Sequence, residues 1–299
     1  MAISHRKQPV ISQPRRLRNR ERTALRDFLV DDLDANLFAL SWLENNDVEP
    51  TRPDRFTYWG FFDGRQQLSA VALNVANRLL MLDTRHPDYA REFANLFQRQ
   101  QTRFRHVVSR PRSVTPFWSS YSRRDTQIPV DARLIQHQRM YRLLPEQFSA
   151  PDHRSSGVRR GQISELDAIF LASARMHREE TLEDPLQRNS ASFRRHVRHR
   201  VKKGRTFVWF DDHQRLVFKA DISTHCSQGA QISGVYTDPD HRNQGLGTRA
   251  MIDICQTLFD EGLPRLNLYV NRANKTARHL YEKLGFQYVC PYQTVFVAH

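Results

Sequence analysis

At 299 residues the chain is long enough to bury a core and more naturally makes two domains than one. An apolar content of 39% suits a folded soluble protein, and the lack of any run of about 18 apolar residues excludes a transmembrane helix. The formal charge of +14 attracts nucleic acid, acidic proteins or anionic cofactors, while Cys226, Cys255 and Cys290, odd in number and scattered, fit neither a disulfide framework nor a metal site.

Part of the charge sits in residues 1–22, where Arg6, Lys7, Arg15, Arg16, Arg18, Arg20 and Arg22 face one acid, Glu21. With Pro9, Pro14 and little apolar content, this segment reads as mobile. It has no interleaved aromatics for base stacking, so nucleic-acid association is not favoured. No hydrophobic stretch follows it, so a secretory signal is not expected and the three thiols read as those of a reduced, cytoplasmic protein.

From Thr23 to Asn45 the apolar residues Leu25, Phe28, Leu29, Leu33, Leu37, Leu40 and Leu43 recur at mostly three- and four-residue steps and predict a helix. Phe56–Phe62 and Leu68–Leu73 predict two strands joined by the turn Asp63–Gln66. A strand at Leu79–Leu82, a helix at Pro87–Gln98, a strand at His106–Val108, a helix at Val114–Tyr121 and a strand at Arg139–Leu144 follow. Residues 23–144 thus form an α/β domain whose only glycines are Gly60 and Gly64, leaving it without a glycine loop. The polar, proline-bearing stretch 145–157 reads as a linker.

The second domain, 158–299, opens with a short strand at Val158–Arg160 and a helix through Glu165–His177, after which come Glu179 and Glu180. Ser190 or Ser192 is placed to cap a basic helix with Phe193, Val197 and Val201 at four-residue spacing and Lys203 near its end. Its charges read as a solvated face or as a recruiter of acidic acceptors. Strands at Thr206–Phe210, Leu216–Ile222 and Ala230–Thr237 lead to a break at Asp238-Pro239-Asp240 and then to Arg242, Asn243, Gln244, Gly245, Leu246, Gly247 and Thr248. A helix ending at Gly262, a strand at Leu266–Val270, a helix capped by Asn274 and stopped by Gly285, and strands at Phe286–Cys290 and Thr294–Val297 complete the chain.

The junction of that loop with its helix is a ready anion site. Unpaired N–H groups point outward where the helix dipole favours negative charge, and glycines at 245 and 247 remove Cβ atoms that would hold a phosphate away. An R-x-x-G-x-G pattern is weak alone, but here it lies between a strand and a helix and ahead of Tyr281-Glu282-Lys283-Leu284-Gly285-Phe286. With these features residues 158–299 resemble a GNAT-superfamily acyltransferase, whose signature is Q/R-x-x-G-x-G/A after the fourth strand. The tail LYVNRANKTARHLYEKLGF resembles that superfamily's fifth strand and following helix. DANLFALSWLE and WGFFDGRQQLSAV, ahead of VFKADISTHCSQGAQISGVYTDP, resemble a bacterial subfamily in which a degenerate GNAT-like domain precedes an intact one.

The resemblance implies an α/β (α+β) fold of two tandem GNAT-like domains, each a mixed, mostly antiparallel sheet flanked by helices. It implies acetyl-CoA in a V between the fourth and fifth strands, its pantetheine on the backbone of Val235, Tyr236 and Thr237. The pyrophosphate would lie on N–H groups from Arg242 to Thr248, with Asn271 and Asn274 at the cofactor arm; Asn274 reads equally as a plain helix cap. Tyr281 matches the general acid. A phenol of pKa near 10 keeps its proton at neutral pH and can give it to a departing thiolate.

The base is open, because Ala230–Thr237 carries no acid or histidine before Asp238. Glu179 and Glu180 are the candidates to deprotonate or orient an amine, each also readable as a solvated acid; Asp221 and His225 are weaker ones. His196 and His199 have no nearby ligand cluster, so no metal is expected. The implied reaction is direct attack by an amine acceptor, on a small molecule or peptide, on the thioester; resembling tandem enzymes act on small thiol-bearing amines. The competing reading is an acyl-CoA-sensing or nucleic-acid-associated module with little turnover.

Overall fold

The computed structural model describes residues 13–52, 55–123, 129–149 and 156–298. The elements in chain order are β1 (Arg15–Arg16), α1 (Arg22–Val30), α2 (Leu33–Asn45), β2 (Phe56–Phe62), β3 (Leu68–Val75), β4 (Leu79–Thr84), α3 (Pro87–Arg99), β5 (His106–Ser109), α4 (Pro111–Tyr121) and β6 (Ala132–Leu143). They continue as β7 (Arg159–Arg160), α5 (Leu166–Thr181), α6 (Pro185–Lys202), β8 (Thr206–Phe210), β9 (Leu216–Cys226), β10 (Gly229–Thr237), α7 (Leu246–Asp260), β11 (Leu266–Asn271), α8 (Lys275–Lys283) and β12 (Gln287–Val297). Two compact units result: residues 1–139 with 290–299, and residues 140–289. The division falls within β6 and β12. It does not follow chain order, because the end of the chain is claimed by the first unit.

In the first unit β1 to β5 lie side by side in order, antiparallel except for β4 and β5. Gln293–Phe296 of β12 then pairs antiparallel with β5. The stripe Tyr89, Ala90, Phe93, Ala94 and Phe97 turns α3 onto this sheet, where Phe93 meets Phe61 at 4.8 Å and Phe97 meets Phe104 edge-on at 5.0 Å. Each such fully buried apolar side chain contributes about 1.5–3 kcal/mol.

In the second unit the order is β11-β10-β9-β8-β7, antiparallel except for β10 with β11. One face is covered by α7 through Ala250, Met251, Ile254 and Leu258, which join Phe218, Ile232 and Leu268 in one core. The other carries α5 and α6, whose Ile169, Phe170, Val197 and Val201 close over Val208.

Several sequence expectations change. The single helix at Thr23–Asn45 is two helices, broken where Asp32 leaves helical geometry (φ −134°, ψ 64°). Periodicity does not register one off-helix residue between two segments in similar phase. The basic helix begins earlier, at Pro185, with Asp184 as its cap. It is interrupted at Asn189, whose side chain accepts from the Ser192 N–H at 2.9 Å, so Asn189 and not Ser190 or Ser192 caps the basic half. Glu179 and Glu180 lie inside the last turn of α5 rather than after it. The two final strands are one continuous strand.

Residues 1–12 lie outside the described residues, but 13–22, read as mobile, are built into the fold. Arg15-Arg16 pairs with β2, Leu17 is fully buried, and buried Glu21 accepts from the Arg18 N–H at 2.7 Å. One apolar side chain and one capping acid outweigh the repulsion that composition registers. The described parts of 145–157 are also tied down, Ser149 N–H to the Leu284 carbonyl at 3.2 Å and Ser156 to the Asp253 carboxylate. Among the described residues no helix is long and apolar enough to cross a membrane.

Candidate active site

The site begins where β10 parts from β11. The two pair in parallel over only Ala230–Ile232 and Leu266–Leu268. On its other edge β10 follows β9 to Thr237, slipping register between Ser233 and Tyr236. Beyond Ile232 β10 has no ladder partner on the β11 side, so a wedge opens along Val235, Tyr236 and Thr237. Gly234 makes the bulge. Its φ is +56°, and a Cβ there would meet Asp221 Oδ2 at 2.7 Å and Lys219 Nζ at 3.2 Å. Only glycine accepts both conditions.

At the end of the wedge the chain makes one 3-10 turn at Pro239–His241 and enters α7 through two left-handed residues, Asn243 (φ +61°) and Gly245 (φ +72°). Arg249 N–H to the Gly245 carbonyl, at 3.1 Å, closes the first turn, so the N–H groups of Leu246, Gly247 and Thr248 have no intrahelical acceptor. No side chain caps this end and no acid stands in its first turn. The Gln244 carboxamide folds back to the Asp240 carbonyl at 3.0 Å, leaving the loop backbone outward. A Cβ on Gly247 would lie 3.3 Å from Thr237 Oγ1 and 3.6 Å from Leu280, so the loop, the end of β10 and α8 meet here. Open donors at a positive dipole end beside a split in the sheet suit a long, thin molecule with a pyrophosphate.

Arg242 turns away from those donors. Its Nε donates to the Thr237 carbonyl at 3.0 Å and its Nη2 to both Glu179 oxygens at 2.9 and 3.2 Å. Glu179 is thereby engaged with a guanidinium at the surface. Glu180 is exposed like Glu179, but its carboxyl lies near protein charges on β9. Desolvation lifts its carboxyl above the ordinary value of 4.5; the Lys219 ammonium opposes this, and the charges of Glu179 and Asp221 add to it. Tyr281, on α8, is buried, and burial followed by the Glu180 charge pushes its phenol well above 10. A carboxyl raised above its ordinary value and a phenol that holds its proton therefore share one neighbourhood.

Asn271 ends β11 and Asn274 stands on the exposed turn that follows it. Their side-chain oxygens accept from the N–H groups of Ala273 at 2.9 Å and Ala277 at 3.0 Å, so Asn274 is a helix cap. Asp221 is buried and held by Lys219 at 2.6 Å, Thr206 at 2.8 Å and Arg200 at 2.9 Å. Burial penalises its charge, but these partners outweigh the penalty and keep the carboxyl below its ordinary value, which removes it as a base. His225 pairs with Ala230 at the far end of β9 from the bulge. On α6, Arg194 pairs with Asp167 on α5 and Arg200 with Asp221, so part of the basic helix serves packing. No cluster of metal-ligating residues occurs among the described residues.

Sequence reasoning passed over Lys219. Its Nζ, fully buried, also donates to the Gly234 carbonyl at 3.1 Å. The signal was present: a lysine within the apolar strand Leu216–Ile222, two residues from an aspartate and hence on the same face.

Residues 168–286 match the model of the acetyltransferase (GNAT) family. A mycothiol acetyltransferase of Rhodococcus jostii (strain RHA1) is 31% identical over 129 residues, covering 35% of this chain and 42% of that protein. A thialysine N-epsilon-acetyltransferase of Bos taurus is 32% identical over 65 residues, covering 22% and 38%. The chain thus spans less than half the length of either. Among solved structures, a GCN5-related N-acetyltransferase from Sphaerobacter thermophilus covers 94% of each chain with a TM-score of 0.60 at 12% identity. A tandem GNAT protein from the clavulanic acid biosynthesis pathway covers 95% of this chain and 97% of its own, with a TM-score of 0.58 at 12% identity. At such identities these likenesses show the fold alone, one of tandem GNAT-like α/β domains.

Proposed function

Over residues 168–286 the chain belongs to the acetyltransferase (GNAT) family, and from that premise we propose that it transfers an acetyl group from acetyl-CoA to a primary amine. The observation that carries the reading is the wedge between β10 and β11 opening onto the uncapped N-terminus of α7. Backbone donors from Asn243 to Thr248 would hold the pyrophosphate, and β10 at Val235, Tyr236 and Thr237 the pantetheine amides. Arg242 acts at one remove, tying Glu179 to the end of β10. Bound acetyl-CoA supplies an acyl carbon activated toward an amine and a thiolate leaving group.

The chain's own residues move the protons. Glu180 takes one from the attacking ammonium or amine, directly or through one water, and its raised value makes it a base matched to a working pH above the usual carboxylate range. The Tyr281 hydroxyl gives its proton to the departing sulfur, and the proton taken up by Glu180 then restores the phenol, so that over the cycle one proton passes from the amine to the CoA thiol. Glu180 presents a carboxyl at one end of α5 to an amine acceptor, while Glu179 beside it is engaged with Arg242. The names of the two relatives, thialysine and mycothiol, direct the search toward amines on small sulfur-containing molecules. Among its described residues the unit 1–139 with 290–299 carries no glycine loop ahead of a helix, and we assign it a structural role.

The test is release of CoA thiol with thialysine, other thiol-bearing or thioether amines, lysine and short peptides as acceptors. Tyr281→Phe should retain CoA binding and lose at least about tenfold in kcat. CoA binding with no release for any acceptor would instead favour an acyl-CoA sensor.

A further inference from the structure

Lys219 sits on β9 opposite Tyr236 of β10, with no exposed surface. Its ammonium has three hydrogens to place. One goes to Asp221 Oδ2 at 2.6 Å and one to the Gly234 carbonyl at 3.1 Å; the Met176 sulfur of α5 lies at 4.0 Å. Asp221 is itself satisfied by Arg200 and Thr206. Stability does not explain this arrangement. A buried ion pair is often matched or improved by apolar residues of the same volume, because both charges must leave water. A second cation, the Arg200 guanidinium, already stands on the aspartate. The group that depends on Lys219 is the bulge: the Gly234 carbonyl is turned out of the β9–β10 ladder and ends on the ammonium.

Resting on the acetyltransfer reading, we infer that Lys219 is a positioning residue for that reaction: it fixes the Gly234–Val235 peptide plane at the mouth of the wedge and keeps a positive charge beside Glu180. A trans peptide directs its N–H opposite to its carbonyl, so anchoring the Gly234 oxygen also sets the direction of the Val235 N–H on the first unpaired stretch of β10. The charges that face Glu180 are Glu179 on its own helix and Lys219 and Asp221 on β9, with Tyr281 on α8 as the facing phenol; Arg200 of α6 stands behind Asp221. Among these Lys219 is the cation that favours the ionised, proton-accepting form of Glu180. One side chain thus serves both the backbone that meets the donor and the carboxylate that meets the acceptor.

The experiment reads the Glu180 midpoint by carbon-13 NMR of glutamate carboxyl-labelled full-length protein, the signal assigned by its loss in Glu180→Gln. No acceptor is needed. In Lys219→Met the midpoint should rise by at least about 0.5 unit, and in Asp221→Asn it should fall. If Lys219→Met does not fold, Asp221→Asn still reads whether the charges of this buried cluster reach Glu180, since asparagine keeps the shape, its oxygen accepting from Lys219 and Arg200 and its amide N–H donating to Thr206 Oγ1. In acetyl transfer Lys219→Met should lose at least about tenfold in kcat while its Kd for CoA, carried mainly by the untouched loop, rises by a smaller factor. The acidic limb of its pH profile should move upward with the Glu180 midpoint. An unmoved midpoint, or losses of CoA affinity and kcat in equal proportion, overturns the inference. Absence of transfer by the wild type ends the acetyltransfer reading instead, and leaves the NMR arm to judge the electrostatic role of Lys219.

Discussion

The two units contain the same local plan and finish it differently. In the first, β4 runs parallel to β5 over Leu79–Met81 and His106–Val108; in the second, β10 runs parallel to β11 over Ala230–Ile232 and Leu266–Leu268. Each first strand is followed by a turn and a helix. After β4 the opening is filled by the unit's own groups. Ser109 Oγ donates to the Leu82 carbonyl, the Thr84 N–H donates to Ser113 Oγ at 3.2 Å, and Asn36 donates to the Asp83 carboxylate at 2.8 Å. The helix that follows, α3, starts with Pro87, which has no N–H; His86 Nδ1 accepts the Asp88 N–H, and the Asp88 carboxylate occupies the first turn. At α7 none of these is present, and Gly245 leaves the donors bare. The same strand-turn-helix arrangement therefore makes an anion site only when sequence leaves its donors unspent.

The largest effect should come from the acids beside each helix pair. Burial raises both Asp32, at the junction of α1 and α2, and Glu180. Asp32 is held by Arg110 at 2.7 Å, whereas Glu180 neighbours Tyr281. Glu180→Gln should cost about 10²-fold in kcat/KM and abolish the acidic limb of the pH profile; Asp32→Asn should leave the rate within about twofold. Stability offers an independent reading. Glu180 has a higher pKa folded than unfolded, so the unfolded chain gives up this proton first as pH rises. Folding then loses stability from about the unfolded value of 4.5 up to the folded midpoint. At neutral pH Glu180→Gln should therefore melt above the wild type, with the difference vanishing below about pH 4. Equal melting temperatures at every pH would show that Glu180 is an ordinary surface acid.

A smaller effect follows from transplanting the first unit's device into the second. Gly247 occupies the second helical position of α7, as Asp88 does in α3. Gly247→Asp should weaken CoA binding about 10–100-fold, and less so at high salt, because a carboxylate opposes the pyrophosphate. Gly247→Ala adds the Cβ without the charge. Equal losses for the two would mean that space, not charge, governs the site. The smallest change is expected in the reverse direction. His86→Ala removes the α3 cap, should cost about 0.5–1 kcal/mol by thermal or urea unfolding, and should leave CoA affinity untouched. A change in CoA affinity there would remove the distinction between the units.

What the sequence by itself determined was local. The glycine loop at 245–247, the Asn274 cap and the order of strands and helices around the loop depend on φ preference, capping and hydrophobic period, all of which act within a few residues. The family likeness places Tyr281 at the end of that same local series. Tertiary structure decided what joins residues distant in the chain. Lys219 meets Gly234, Asp221 meets Arg200, and Arg242 takes Glu179 across 63 positions, a choice no periodicity records. Glu180 becomes distinct from its neighbour Glu179 only through what crowds it. Residues 290–297 read as the close of the second domain, and they complete the first unit's sheet because β5 offered an unpaired edge that an antiparallel strand satisfies. The glycine loop is thus a local feature, whereas the Gly234 bulge ahead of it is held by a lysine on the neighbouring strand.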